Sequence, residues 1–201
     1  MKINFIALVI VSSVFFFIGC GPSKKVTRVE PDTTIDLSGE WNDTDSRLVA
    51  EEMIKDVLAR TWLSDYRAAK EKQPTVIVGA VKNRTSEHIQ TTTFIKNLEK
   101  ELINSGRVYF VANKEERVDV REERSDQQEH ASDETMKKFQ KETGADYLLR
   151  GDMTTIIDQD GGEKVKYYQV NLELIDIESN RKVWVGEKKI KKLVSQRGSK
   201  F

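Results

Sequence analysis

Few residues in this chain are able to do chemistry. Cys20 is the only cysteine, and it directly follows Phe15-Phe16-Phe17-Ile18-Gly19, the end of an apolar run that begins at Phe5 behind the basic Lys2. A thiol can serve as a nucleophile, a metal ligand, a disulfide partner or an acceptor for a lipid, and a lone thiol at the end of a short apolar leader suits the last of these. The two histidines, His88 and His130, lie far apart in polar, loop-like surroundings. No HExxH, no phosphate-binding glycine loop, no G-x-S-x-G elbow and no His/Asp/Glu group at metal-ligand spacing is present. Asn42-Asp43-Thr44-Asp45-Ser46 has the oxygen density of a calcium loop. Arg47 stands where that loop needs glycine, and no bidentate acid follows at the right distance. Helix capping explains the segment better. Asp158-Gln159-Asp160-Gly161-Gly162 reads as a hairpin turn before it reads as a cation site. The sequence therefore offers no catalytic residue, no metal set and no cofactor motif, and the domain reads as a binding module.

Lys2, the apolar run and the small Gly19 before the cysteine have the layout of a secretory signal. The run is too short to cross a hydrocarbon core of about 30 Å comfortably as a helix. The junction resembles the lipobox at which bacterial lipoproteins are cut and acylated, with Phe17 where such boxes usually carry Leu. Residues 1–19 are then a signal peptide, and Cys20 becomes the lipidated first residue of the mature chain. Each buried CH₂ of the lipid contributes about 0.8 kcal/mol to membrane attachment. With Cys20 consumed no thiol remains, which rules out disulfides, thiolate catalysis and cysteine zinc sites. Gly21 is not the aspartate that holds enterobacterial lipoproteins in the inner membrane, and Ser23-Lys24-Lys25 lacks an acidic export signal. The expected location is the outer membrane, lipid-anchored, facing the periplasm.

Removing the leader leaves roughly 180 residues, enough for one domain with a proper core. The charge is balanced, with 33 basic and 33 acidic residues in the whole chain. Nucleic acid, which demands a basic excess, is not the expected partner. Residues 21–37 lack helical or strand periodicity and read as a tether, with a reach of at most about 60 Å.

From Thr44 onward Leu48, Val49, Met53, Ile54, Val57, Leu58 and Trp62 recur at helical spacing, which predicts one helix fading near Ala69 and capped by Asp43, Thr44 or Asp45. Thr75–Val81 reads as a strand buried on both faces. Lys82–Gln90 reads as a polar loop. Thr91–Asn104 reads as a helix with Phe94, Ile95, Leu98, Leu102 and Ile103 inward, stopped by Gly106. Val108–Val111 is a short strand, Glu115–Glu134 a solvated charged segment, and Thr135–Thr143 a short helix around Met136 and Phe139. Three strands follow, Ala145–Ile157, Lys166–Ile177 and Lys182–Ile190. Val170, Leu172 and Leu174 of the second point inward, as do Val183, Val185 and Ile190 of the third. Beyond Glu187 only basic charges follow, which predicts a frayed, solvated C-terminal tail, with contact to anionic lipid or a partner's acidic patch as the alternative. The fold class is α/β of the α+β type, a mixed sheet with a C-terminal antiparallel meander and helices mainly on one face.

Leu37-Ser-Gly-Glu-Trp-Asn-Asp-Thr-Asp-Ser-Arg-Leu-Val-Ala-Glu-Glu-Met-Ile54 closely resembles the opening of the LpoB family, outer-membrane lipoproteins that activate bifunctional penicillin-binding proteins. Val76-Ile-Val-Gly79 with Lys82-Asn-Arg-Thr85, Gly144-Ala-Asp-Tyr-Leu-Leu-Arg-Gly151 and Val183-Trp-Val-Gly-Glu-Lys-Lys-Ile190 also fit. The resemblance implies a fold like the N-terminal domain of TolB, spread over a single domain at 38–201. It also implies a monomeric, non-enzymatic role in peptidoglycan synthesis: docking on a non-catalytic domain of the synthase and raising its activity. The partner-binding residues expected from this reading are Trp41, Asp43, Asp45 and Arg47, since Trp and Arg are common interface anchors. Trp41 is equally well suited to plug the core. Tyr167 and Tyr168 are weaker candidates, because neighbouring strand residues point to opposite faces and at least one is then exposed. An alternative reading is an envelope assembly subunit resembling curli-secretion lipoproteins. That role needs extra membrane-spanning hairpins, and every strand here is already used by the sheet.

Overall fold

The computed structural model describes residues 25–137 and 141–195. Cys20, the leader, Phe139, Arg197 and Lys200 lie outside the described residues. The chain divides into two compact units, Met1–Thr33 and Thr34–Phe201. The described part of the first carries a turn in which Thr33 donates to the Glu30 carbonyl at 3.0 Å. All helices and strands described here belong to the second.

The first helix, α1 (Asp43–Leu58), starts at a cap one residue earlier than the sequence suggests. Asn42 accepts from the Asp45 amide at 3.0 Å, and Asp45 accepts from the Asn42 amide at 3.0 Å, a reciprocal capping box that satisfies two free donors. Val49, Ala50, Met53, Ile54, Val57 and Leu58 are buried, whereas Leu48 is exposed. The predicted single helix is broken after Leu58, and α2 (Trp62–Lys70) follows. The break has a visible cause. The indole Nε1 of Trp62 donates to the Val57 carbonyl at 2.6 Å, satisfying a terminal carbonyl, while its ring sits edge-on to Tyr147 at 4.9 Å.

Strand β1 (Thr75–Asn83) is followed by α3 (Thr91–Asn104), whose Phe94, Leu98 and Leu102 are buried. Ile103, expected inward, is 53% exposed. Gly106 adopts φ +61 just past the helix, a conformation that costs glycine little. The short β2 (Tyr109–Phe110) leads to α4 (Glu116–His130), which buries none of its residues. Residues 135–137 and 141–143 form no helix, and 138–140 lie outside the described residues. Strands β3 (Tyr147–Asp160), β4 (Glu163–Asp176) and β5 (Lys182–Ser195) complete the chain, each 14 residues long. The β3–β4 turn is Gly161-Gly162, both at positive φ, as a two-residue hairpin demands.

The sheet order is β2-β1-β3-β4-β5. β1 runs parallel to β2 and β3, and β3, β4 and β5 form the antiparallel meander. The mixed sheet backed by helices is the α+β architecture expected. Two register shifts account for the misread faces. One lies between Val78 and Val81, so both are buried although three positions apart, and Ala80 is exposed. The β1 run is therefore apolar without being covered on both sides. The other lies between Leu174 and Ile175, opposite Trp184 and Lys182. It leaves Val183 as the extra residue, half-buried against the core, turns Trp184 inward and leaves Val185 65% exposed. The basic stretch is not frayed over Lys188–Ser195, which is ordered as the second half of β5; its remaining charges, Arg197 and Lys200, lie outside the described residues.

These burials make a direct comparison possible. Phe94→Ala, at a fully buried site, is expected to cost about 3–5 kcal/mol, whereas Ile103→Ala on the same helix should change stability by less than about 0.5 kcal/mol. Urea unfolding of the two variants checks both values.

Candidate partner-binding surface

The segment singled out by the sequence forms a strap across the inner face of β4 and β5 before it enters α1. Trp41 is half-buried. Its ring meets Phe94 edge-on at 6.3 Å and Tyr168 at 5.6 Å, and its Nε1 donates to Ser46 Oγ at 2.7 Å. Gly39 lies under β5. It sits at φ +67, and a Cβ there would approach Val194 Cγ2 to 2.2 Å, so only glycine fits this crossing. Asp45 is buried in the capping box and also receives Lys192 Nζ at 2.6 Å. Lys192 reaches Asp36 Oδ1 at 2.7 Å and the Glu40 carbonyl at 3.0 Å as well. Burial opposes the charge on Lys192, but the hydrogen bonds to Asp36 and Asp45 outweigh it and raise its pKa above the ordinary lysine value. Asp43 is exposed in the first turn of α1, and Arg47 is half-buried beside Glu51, 3.2 Å away.

Beneath the strap sits Glu87, from the loop between β1 and α3. Its carboxylate accepts from Lys166 Nζ at 2.8 Å, from the Tyr168 hydroxyl at 2.7 Å and from the backbone N–H of Trp41 at 3.2 Å. Burial pushes the Glu87 carboxyl up. Lys166, Tyr168 and the Trp41 amide together overcome that push and hold it below its ordinary value. Lys166 and Tyr168 are both buried. Of the two candidate tyrosines, Tyr168 thus faces inward and Tyr167 stands half-buried on the opposite face.

The structure brings Trp41 and Asp45 into one network with Glu87, Lys166, Tyr168 and Lys192, and leaves Asp43 and Arg47 on its rim. Sequence reasoning missed Glu87, which lies in a polar loop, and Lys192, assigned to a tail. It also missed Leu37, which is 93% exposed although the strap on either side of it is pinned. An apolar residue standing free in a fixed segment was legible only as part of the Leu37–Ile54 motif.

Among the described residues no helix covers the other face of the sheet. That face presents Arg150 donating to Glu173 at 2.7 Å, Lys182 paired with the same carboxylate, and Asn171 donating to Asp152 at 3.0 Å. Among the described residues no three His, Cys, Asp or Glu side chains gather as a metal site, and no helix is long and apolar enough to cross a membrane.

The fold and these surfaces define a small α+β domain with helices on one side of a mixed sheet and a strapped N-terminus. The chain belongs to the LpoB family: the family model described as peptidoglycan-synthase activator LpoB matches residues 45–190. Among solved structures, the LpoB C-terminal domain from Escherichia coli is similar at 14% identity, covering 73% of this chain and 98% of that one, with a TM-score of 0.42. The NMR structure of E. coli LpoB is similar at 13% identity, covering 90% of this chain and 86% of that one, with a TM-score of 0.38. A PelC dodecamer subunit from Paraburkholderia phytofirmans is similar at 16% identity, covering 60% of this chain and 73% of that one, at 0.34. No curated protein matches the chain.

The half-buried Glu87 carboxylate makes two measurable demands. Glu87→Ala leaves Lys166 buried with only the exposed Glu40 carboxylate, 3.6 Å away, as counter-charge, and should cost about 3 kcal/mol, the low end for breaking a buried pair. The folded-state pKa of Glu87 lies below its ordinary 4.5, so its contribution is present above that value and is lost as pH falls through the lower folded one. Unfolding midpoints followed from about pH 7 to about pH 3 should fall on the acid side in the parent, with a shallower fall in Glu87→Gln.

Proposed function

We propose that this chain is a lipid-anchored activator of a bifunctional penicillin-binding protein, held on the periplasmic side of the outer membrane through Cys20. In this reading residues 1–19 are removed, residues 20–37 tether the domain, and residues 38–201 act on the synthase as a monomer without catalysing a reaction themselves. The observation that carries it is the match of residues 45–190 to a family of peptidoglycan-synthase activators. The lipobox-like end of the leader, Ile18-Gly19-Cys20, supports the anchor.

An activator without chemistry of its own works by binding the active state of its partner more tightly than the resting state. The lipid confines it near the partner and raises the effective concentration. Because Asp36 is held by Lys192 and Asn42, and the Ile35 carbonyl by Asn42 as well, the free tether ends just before Ile35 and reaches about 50 Å. The synthase must therefore project toward the outer membrane. The strap offers Leu37, Asp43 and Arg47 outward, while Trp41 and Asp45 fix its shape from behind.

The test is glycan-chain synthesis by the host's bifunctional penicillin-binding proteins with and without the full lipoprotein in detergent. One synthase should be accelerated several-fold. Arg47→Ala combined with Leu37→Ser should remove the acceleration while leaving the unfolding midpoint unchanged. A lipoprotein that binds no synthase and accelerates none would end this reading, and a ring-shaped assembly on native mass measurement would end the monomer.

A further inference from the structure

β5 is the last strand of the sheet, and among the described residues no strand lies beyond it. Along its 14 residues, Lys182–Ser195, about half of the backbone N–H and C=O groups face an unpaired edge. The opposite edge, β2, is only two residues long and offers no comparable template. A groove runs beside β5 between the strand and α1, lined by Met53, Asp56, Arg60, Trp184, Gly186 and Lys188. Its floor is fixed. Trp184 Nε1 donates to Asp56 Oδ2 at 2.8 Å, and the indole folds back over Gly186, where a Cβ would come within 2.0 Å of the ring. The strand edge is thus both accessible and rigid.

The charge on this edge selects its occupant. β5 carries five lysines and one glutamate. Lys189 and Lys191 follow the same face as the exposed Val185 and Leu193; Lys189 makes an exposed pair with Glu187 of that face at 2.6 Å, and Lys191 stands exposed beside it. Two antiparallel copies of β5 centred on Lys189 would set that lysine against its own copy, and like charges directly opposite are destabilising. A strand with acids at alternate positions would instead lay them beside Lys189 and Lys191 while its backbone pairs with the free edge. We propose that the β5 edge takes up an extended acidic segment of a partner protein as a sixth strand. This is recognition by strand addition, in which main-chain bonds supply affinity and side chains at every second position supply selectivity. The assignment stands on the edge itself and does not depend on which synthase the protein activates.

The experiment uses the full lipoprotein in detergent and a short labelled peptide alternating Glu and Val. Three measurements are made: fluorescence anisotropy, hydrogen exchange resolved over residues 183–195, and anisotropy with phosphatidylglycerol vesicles. The peptide should bind and slow exchange in β5 by about tenfold or more. Binding should weaken by about tenfold in Lys189→Glu/Lys191→Glu, whose side chains face away from the core. It should vanish when the peptide amides are N-methylated along both edges, a change that keeps every charge and removes the strand's donors. The proposal is overturned by unchanged β5 exchange at saturating peptide, by equal binding of a Lys–Val peptide, or by full binding of the methylated peptide. It is equally overturned if the two lysines govern only vesicle binding, which would make the edge a membrane contact, or if the chain dimerises through β5.

Discussion

A single carboxylate, that of Glu87, holds three separate parts of the chain in place. The loop between β1 and α3 contributes the acid, β4 contributes Lys166 and Tyr168, and the strap contributes the Trp41 amide. Each partner is incomplete without it. Lys166 would keep only the exposed Glu40 carboxylate, 3.6 Å away, as counter-charge, and the Trp41 amide would lose its acceptor. A buried ion pair adds little stability over a well-packed apolar pair, but removing one half is costly, so such a pair enforces one arrangement over others. Here the enforced arrangement is the path of the strap, which fixes where α1 begins. α1 in turn fixes the inner face of β5 through Trp184–Asp56 and Lys188–Glu52.

Much of the fold was legible because polar and apolar residues alternate at the right period. Thr91–Asn104 was readable from Phe94, Leu98 and Leu102 with Gly106 behind them, and β4 from Val170, Leu172 and Leu174. What stayed hidden was whatever breaks the period. The shift at Val78/Val81 makes a one-sided strand look two-sided, and the shift opposite Leu174/Ile175 exchanges the faces of Trp184 and Val185. The break at Ala59 depends on an indole nitrogen reaching back to Val57, a bond that periodicity cannot register because Trp62 also completes the apolar stripe.

The site was less legible than the fold for a related reason. Trp41 and Asp45 were found through the Leu37–Ile54 motif, which identifies the segment but not what lies under it. Glu87 stands 79 residues from Lys166 and 81 from Tyr168 in the chain. No local pattern marks an acid in a polar loop as the one that will meet a buried lysine and tyrosine. Lys192 was disguised by its neighbours, since a run of lysines looks alike whether its members face water or a pair of carboxylates. The family match at 45–190 begins at Asp45 and so leaves out most of the strap.

The Lys192 clamp gives the strap the properties of an adjustable leash. A pull on the tether arrives first at Ile35 and Asp36 and is resisted there by Lys192 and Asn42; the Gly39 crossing and the Trp41 anchor come later along the chain. Contacts arranged in series yield one at a time, so the outermost can open while the inner ones hold. Lys192 keeps Asp45 when Asp36 departs, and the ammonium is never stranded. Opening the segment from Asp36 to Glu40 would pay out about 17 Å of additional chain without disturbing Trp41 or the start of α1. In the lipid-anchored reading proposed above, the distance between the lipid and the folded domain is then set by tension rather than by sequence length alone.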